Sequence, residues 1–198
     1  MTKVQGWQLL LLGGGSGAGK SRSGREIASS TGCSWLQLDS IWLAMTAVTT
    51  PETHPALHLF TKMEGPWFDL TGSEQLDRFV EATRQVSIGL PVVVAHLLET
   101  NHSALIEGVW MTPAFSAESA EDPRVRAVFV VESELDEVQR AMLSRSQRSE
   151  PTPRQRALAR LSWAYFSLVR DECRSLGVPL VDARPLATLT GRVLAAAK

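Results

Sequence analysis

At 198 residues, with 44% hydrophobic and 21% charged side chains, the chain can bury one substantial core and is not of disordered composition. A net charge of -1 gives no global attraction for nucleic acid or an anionic membrane surface. The two cysteines, Cys33 and Cys173, lack metal-ligand spacing, and the leucines near the N-terminus are too short a run to span a membrane. Two free thiols in a cytoplasmic protein are the expectation.

The chain alternates strand-like and helix-like stretches. WQLLLL (7–12) predicts a strand buried on both faces, followed by a helix from Lys20 to about Ser30. SWLQLDS (34–40) predicts a second strand ending on an acid, and IWLAM a short helix after it. Prolines and aromatics make about 49–72 irregular. SEQLDRFVEATRQVS (73–87) has helical periodicity, with Ser73 as its expected N-cap. PVVVAHLLE starts another helix with proline near its N-terminus. SALIEGVW (103–110), VRAVFVVES (125–133) and VPLVDARP (178–185) predict three more strands. Helices are expected at about 134–146, about 153–175 and the C-terminus. Strands alternating with helices predict a three-layer α/β fold over residues 1–198, built on a five-stranded parallel sheet whose strand ends hold the ligands.

Between the first strand and the first helix, Gly14-x-x-x-x-Gly19-Lys20-Ser21 satisfies the phosphate-loop pattern. Glycines let the backbone wrap with its N–H groups inward, so Gly14, Gly15, Ser16, Gly17, Ala18 and Gly19 would cradle phosphates at a helix N-terminus. Lys20 would reach the β- and γ-phosphates of ATP and the Ser21 hydroxyl would ligate Mg²⁺. Gly13-x-Gly15-x-x-Ala18 also fits a dinucleotide fingerprint, with Asp39 as the ribose ligand of an NAD-dependent enzyme. That reading does not call for Lys-Ser at the helix start. Asp69-x-x-Gly72 spells a GTPase motif, but it follows no strand and N-K-x-D is absent.

Asp39 is expected across the cleft from this loop, where it could accept the proton of an attacking hydroxyl or cap the IWLAM helix. Glu107, ending the third apolar run, could hold the water shell of Mg²⁺ or make a structural hydrogen bond. Arg140, Arg145, Arg148, Arg154, Arg156 and Arg160 surround a helix break in the segment 140–160, which reads as a lid closing over a triphosphate. Arg145 and Arg148, nearest the break, are the expected catalytic pair. His54 and His58 have i,i+4 spacing but no metalloprotease glutamate between them. With Phe60, Lys62, Trp67 and Phe68 they suggest an aromatic, mildly basic cap, about 43–72, over a small-molecule acceptor.

GGSGAGKS followed by a strand ending LDS resembles the chloramphenicol phosphotransferases, whose corresponding acid is the catalytic base, which implies that role for Asp39. TTPETHPALHLF, LPVVVAHLLE and IEGVWMTP resemble 2-phosphoglycerate kinase-like proteins. The resemblance spans nearly the whole chain and implies a P-loop small-molecule kinase using ATP and Mg²⁺. The loop departs from the usual pattern in Arg22, which adds a local charge. Two other classes stay open: an ATP-binding regulatory switch acting through a protein partner, and the NAD-dependent enzyme.

Overall fold

In a computed structural model, residues 6–62, 65–144 and 149–198 are described. A five-stranded, all-parallel sheet runs in the order β2-β3-β1-β4-β5. β1 (Leu9–Gly13) is central, and every residue from Leu9 to Leu12 has no solvent exposure. Burying each of these leucines contributes roughly 2 kcal/mol, which is why an apolar run without alternation belongs in the middle of a parallel sheet.

α1 (Lys20–Thr31) follows β1 and packs with α8 (Leu189–Ala196). On the other face α5 (Pro113–Ser119) and α7 (Pro153–Leu176) lie on β4 (Val125–Val131), with α3 (Gly72–Ser87) and α4 (Leu90–Glu99) packed beyond them. Together they make the expected three-layer α/β P-loop fold. α6 (Leu135–Leu143) pairs with α7. Leu57, Leu59 and Trp67 of the cap belong to the same buried core as the sheet.

Several boundaries differ from expectation. β2 is Ser34–Gln37, and its register with β3 (Ala104–Glu107) ends at the Gln37–Glu107 pair. Helix α2 (Leu38–Ala47) begins at once, with Leu38 fully buried, so Asp39 stands in a helical first turn and not on a strand. Leu38 is pinned against Gly108, where an added Cβ would come within 2.6 Å of the Leu38 Cβ. β5 is the short edge strand Leu180–Asp182, paired with β4. The N-cap of α3 is Thr71, not Ser73, through a reciprocal capping box with Glu74. Helix α5 was not anticipated. Its signal is Thr112-Pro113, an N-cap whose hydroxyl accepts from Phe115 N–H followed by proline at N1.

Candidate active site

Gly14 has φ of +123°, and a Cβ there would lie 2.1 Å from the Val130 carbonyl oxygen of β4. Only glycine lets the loop leave β1 this close to its neighbouring strand. Gly19 closes the loop as the left-handed N-cap of α1. A cap without a side chain leaves the first N–H groups of the helix to whatever the loop encloses. Lys20, 5% exposed, folds back over the loop and donates from Nζ to the Gly15 carbonyl at 2.7 Å. The loop therefore holds an ammonium group against the Gly15 carbonyl beside a helix N-terminus, an arrangement that concentrates donors and positive charge for an anion.

Ser21, in the first turn of α1, donates from Oγ to Glu107 Oε1 at 3.1 Å. Glu107 ends β3, which is adjacent to β1, and is only 5% exposed. A buried carboxylate whose described hydrogen bond is one neutral hydroxyl is incompletely compensated, and a divalent cation would satisfy it. Among the described residues no cluster of three or more His, Cys, Asp or Glu side chains could hold a metal by itself. The pair suits magnesium, which takes one or two protein groups and fills its shell with phosphate oxygens and water.

Asp39 is brought to the same end of the sheet by α2. Gln37 is the N-cap and makes no side-chain cap bond, so Asp39 does not serve as the cap. Its Oδ1 instead accepts a hydrogen bond from Trp110 Nε1 at 2.8 Å. Trp110 is 1% exposed and just beyond β3, so the segment that presents Glu107 to Ser21 also orients Asp39. The Trp110 ring stacks on Trp42 of α2 at 5.1 Å and meets Phe60 edge-on at 5.6 Å. Phe79 of α3 extends this wall and contacts Tyr165 of α7 edge-on at 4.9 Å. Trp42 ties the cap down by donating to the Leu57 carbonyl at 2.7 Å.

The expected cap residues divide. Phe60 joins the aromatic wall, while Trp67 is buried and Phe68 is exposed. His58 is buried against Thr49, with Nε2 and Oγ1 3.0 Å apart, while His54 is exposed beside Thr53. Packing has separated the two histidines into different environments. The side chain of Lys62 lies outside the described residues. Trp110 was read only as part of a strand. Its role depends on a contact across 71 positions of sequence, which no local pattern signals.

Arg145 and Arg148 also lie outside the described residues. Of the other lid arginines, Arg140 pairs with Glu137 at 2.5 Å and Arg154 donates to the Phe60 carbonyl at 3.1 Å, joining the start of α7 to the cap. Arg156 donates to the Pro151 carbonyl. Arg184, which sequence reasoning did not single out, bridges buried Glu132 at 2.9 Å and Glu137 at 2.7 Å. Arg22 forms an exposed i,i+4 ion pair with Glu26 at 3.0 Å, which accounts for its charge. The Glu26 carboxyl is held below its ordinary value, first by Thr190 of α8 and then by Arg22.

No protein-family model matches the chain. A 2-phosphoglycerate kinase from Pyrococcus furiosus is 32% identical over 112 residues, covering 54% of this chain and 36% of the relative. The 2-phosphoglycerate kinase of Methanothermobacter thermautotrophicus is 24% identical over 183 residues, covering 88% of this chain and 60% of the relative. The chain thus spans about a third to three-fifths of the length of these curated relatives. Among solved structures, a Janibacter sugar kinase superposes with a TM-score of 0.58 at 16% identity, covering 96% of this chain and 93% of that one. A gluconokinase from Sinorhizobium meliloti gives 0.55 at 15% identity, covering 96% and 91%. Shikimate kinase from Acinetobacter baumannii, in complex with shikimate, gives 0.53 at 17% identity, covering 97% and 95%. Likeness at these identities is likeness of fold. The chain has the fold of the P-loop kinases and resembles the 2-phosphoglycerate kinases.

Proposed function

We propose that the protein is an ATP-dependent kinase transferring the γ-phosphoryl group to a hydroxyl of a small-molecule acceptor, of the 2-phosphoglycerate-like acid class. The observation that carries this reading is the junction at the end of β3. Glu107 meets Ser21 of the phosphate loop, and Trp110 of the same segment holds Asp39. The dinucleotide reading assigns no role to the Ser21–Glu107 contact. The acceptor class rests on the resemblance to 2-phosphoglycerate kinases.

In this reading the loop amides and Lys20 bind the triphosphate, and Lys20 exchanges its Gly15 contact for phosphate oxygens. Ser21 and Glu107 would hold magnesium, which supplies neutralisation of charge on the phosphate oxygens. Asp39 aligns the acceptor hydroxyl and takes its proton as the acceptor oxygen bonds to phosphorus and the bond to the β-phosphate oxygen breaks. ADP leaves, and the carboxyl returns the proton to water. Trp110 fixes the carboxylate from the side, and the aromatic wall keeps bulk water from the transferring group. Lid arginines, Arg145 and Arg148 among them, would neutralise charge on that group.

ATP consumption with Mg²⁺ should be measured against 2-phosphoglycerate, glycerate, nucleosides, sugars, and aminoglycoside- and chloramphenicol-type compounds. Turnover with one class is expected, abolished by Lys20→Ala. Asp39→Asn should lose transfer while retaining ATP binding. Undiminished turnover in Lys20→Ala would sink the mechanism. ATP binding with no transfer to any acceptor would favour a regulatory switch.

A further inference from the structure

A cleft of about 200 Å³ lies between α3, the start of α5 and α7. Neither the phosphate loop, Asp39 nor Glu107 lines it. Its walls are mixed. Val80, Pro113 and Leu168 supply apolar surface, and Thr83 and Tyr165 add hydroxyl-bearing side chains to the lining. Two formal charges of opposite sign line the same space, Arg84 from α3 and Glu172 from α7. Arg84 acts electrostatically on Glu172, yet the two do not close into an ion pair among the described residues. Burial raises the Glu172 carboxyl above its ordinary value, and Arg84 lowers it by less. The cleft is therefore lined by a half-buried carboxylate on α7 and an exposed guanidinium on α3.

That charge pattern selects a ligand class. A simple anion would be drawn to Arg84 and repelled by Glu172, and a simple cation the reverse. A neutral apolar molecule would desolvate the carboxylate further without compensating it. A molecule carrying both charges satisfies both walls, with its carboxylate on the guanidinium fork and its ammonium on Glu172. The volume falls below the roughly 300–1,000 Å³ of drug-sized pockets, which limits the remainder to a small apolar group. We propose that this cleft is a second small-molecule site, taking a free α-amino acid with a short aliphatic side chain. Tyr165 in its lining contacts Phe79, which contacts Trp110, which holds Asp39. An occupant would press on the aromatic wall that supports the acceptor side.

The test uses the full chain and no turnover. L-valine and L-leucine are titrated calorimetrically, with isovalerate and isoamylamine as analogues lacking one charge each. Saturable binding at least tenfold tighter for the amino acid is expected. Glu172→Gln and Arg84→Gln should each weaken it by about tenfold or more while ATP binding persists. Arg84→Gln, at an exposed position, remains informative if the α7 substitution disturbs folding. Analogues binding as tightly as the amino acids, variants binding like the parent, or no saturation below about 10 mM would each overturn the assignment. ATP binding that fails while amino-acid binding persists would count against the proposed function and leave this site standing.

Discussion

Replacing Glu107 by Gln distinguishes a metal-positioning carboxylate from a merely structural one. The substitution preserves shape and leaves an amide oxygen to accept from Ser21 Oγ, now 3.1 Å from Oε1. It removes a negative charge that is 5% exposed and compensated by one described neutral hydrogen bond. Without ligand, the variant is expected to melt no lower than the parent, because an amide costs less to bury than a carboxylate. With Mg²⁺ and ATP the balance reverses. Interactions with charged groups contribute about 1.5–3 kcal/mol, which corresponds to a loss of roughly 10- to 150-fold in affinity for the metal complex. With EDTA present, ATP should bind the variant as well as the parent or better, because one repulsive charge beside the phosphates is gone. Calorimetric titration of ATP under both conditions gives the ratio directly. An equal loss with and without magnesium would refute the reasoning and leave Glu107 as a support for the loop.

Three further outcomes are expected. Gly14→Ala should abolish ATP binding and lower thermal stability, because its Cβ would collide with the Val130 carbonyl at 2.1 Å and φ of +123° is strained for any side chain, by roughly 1–3 kcal/mol before the clash is counted; an unaltered melting curve would contradict this. Trp110→Phe keeps an aromatic ring but loses the donor to Asp39, so kcat should fall about tenfold with ATP affinity unchanged, and a loss confined to ATP affinity would count against the positioning role. Glu172→Gln should stabilise the protein at pH 7. The folded carboxyl is raised above 4.5 by burial, outweighing Arg84, so between the two values the native state holds a proton that the unfolded chain has released. Native stability therefore falls as pH rises through that interval, and the variant's advantage should vanish below about pH 4 in melts across pH, with buried Tyr165 and Cys173 remaining neutral throughout.

What was legible in the sequence follows the range of the interactions. The phosphate loop is local. Glycine spacing, Lys20 and Ser21 lie within one turn and its helix, and their chemistry fixes the pattern. That Glu107 ends an apolar run is legible in the sequence, whereas its contact with Ser21 is not. The strand ends were overread wherever an edge strand lost its partner, as at Gln37 and Asp182, since pairing and not propensity stops a strand there. Helix α5 escaped notice because seven residues are too few for periodicity to show, leaving Thr112-Pro113 as its one signal. The arginines of the segment 140–160 read alike in sequence, yet Arg140 pairs within its own helix with Glu137, Arg156 donates to the nearby Pro151 carbonyl, and Arg154 reaches across 94 positions to the Phe60 carbonyl.

The segment from Glu107 to Trp110 acts as a spacer of fixed length. Its first residue contacts Ser21, its last holds Asp39, and Gly108 between them is clamped on Leu38, which in the proposed mechanism puts the nucleotide at one end and the acceptor at the other. Donor and acceptor are thus set apart by main chain, a dimension that side-chain exchange cannot tune. On the proposed mechanism, substitutions in the aromatic wall would reshape what is phosphorylated, whereas inserting or deleting one residue in this segment would move Asp39 relative to the phosphate and leave both halves intact but out of reach of each other.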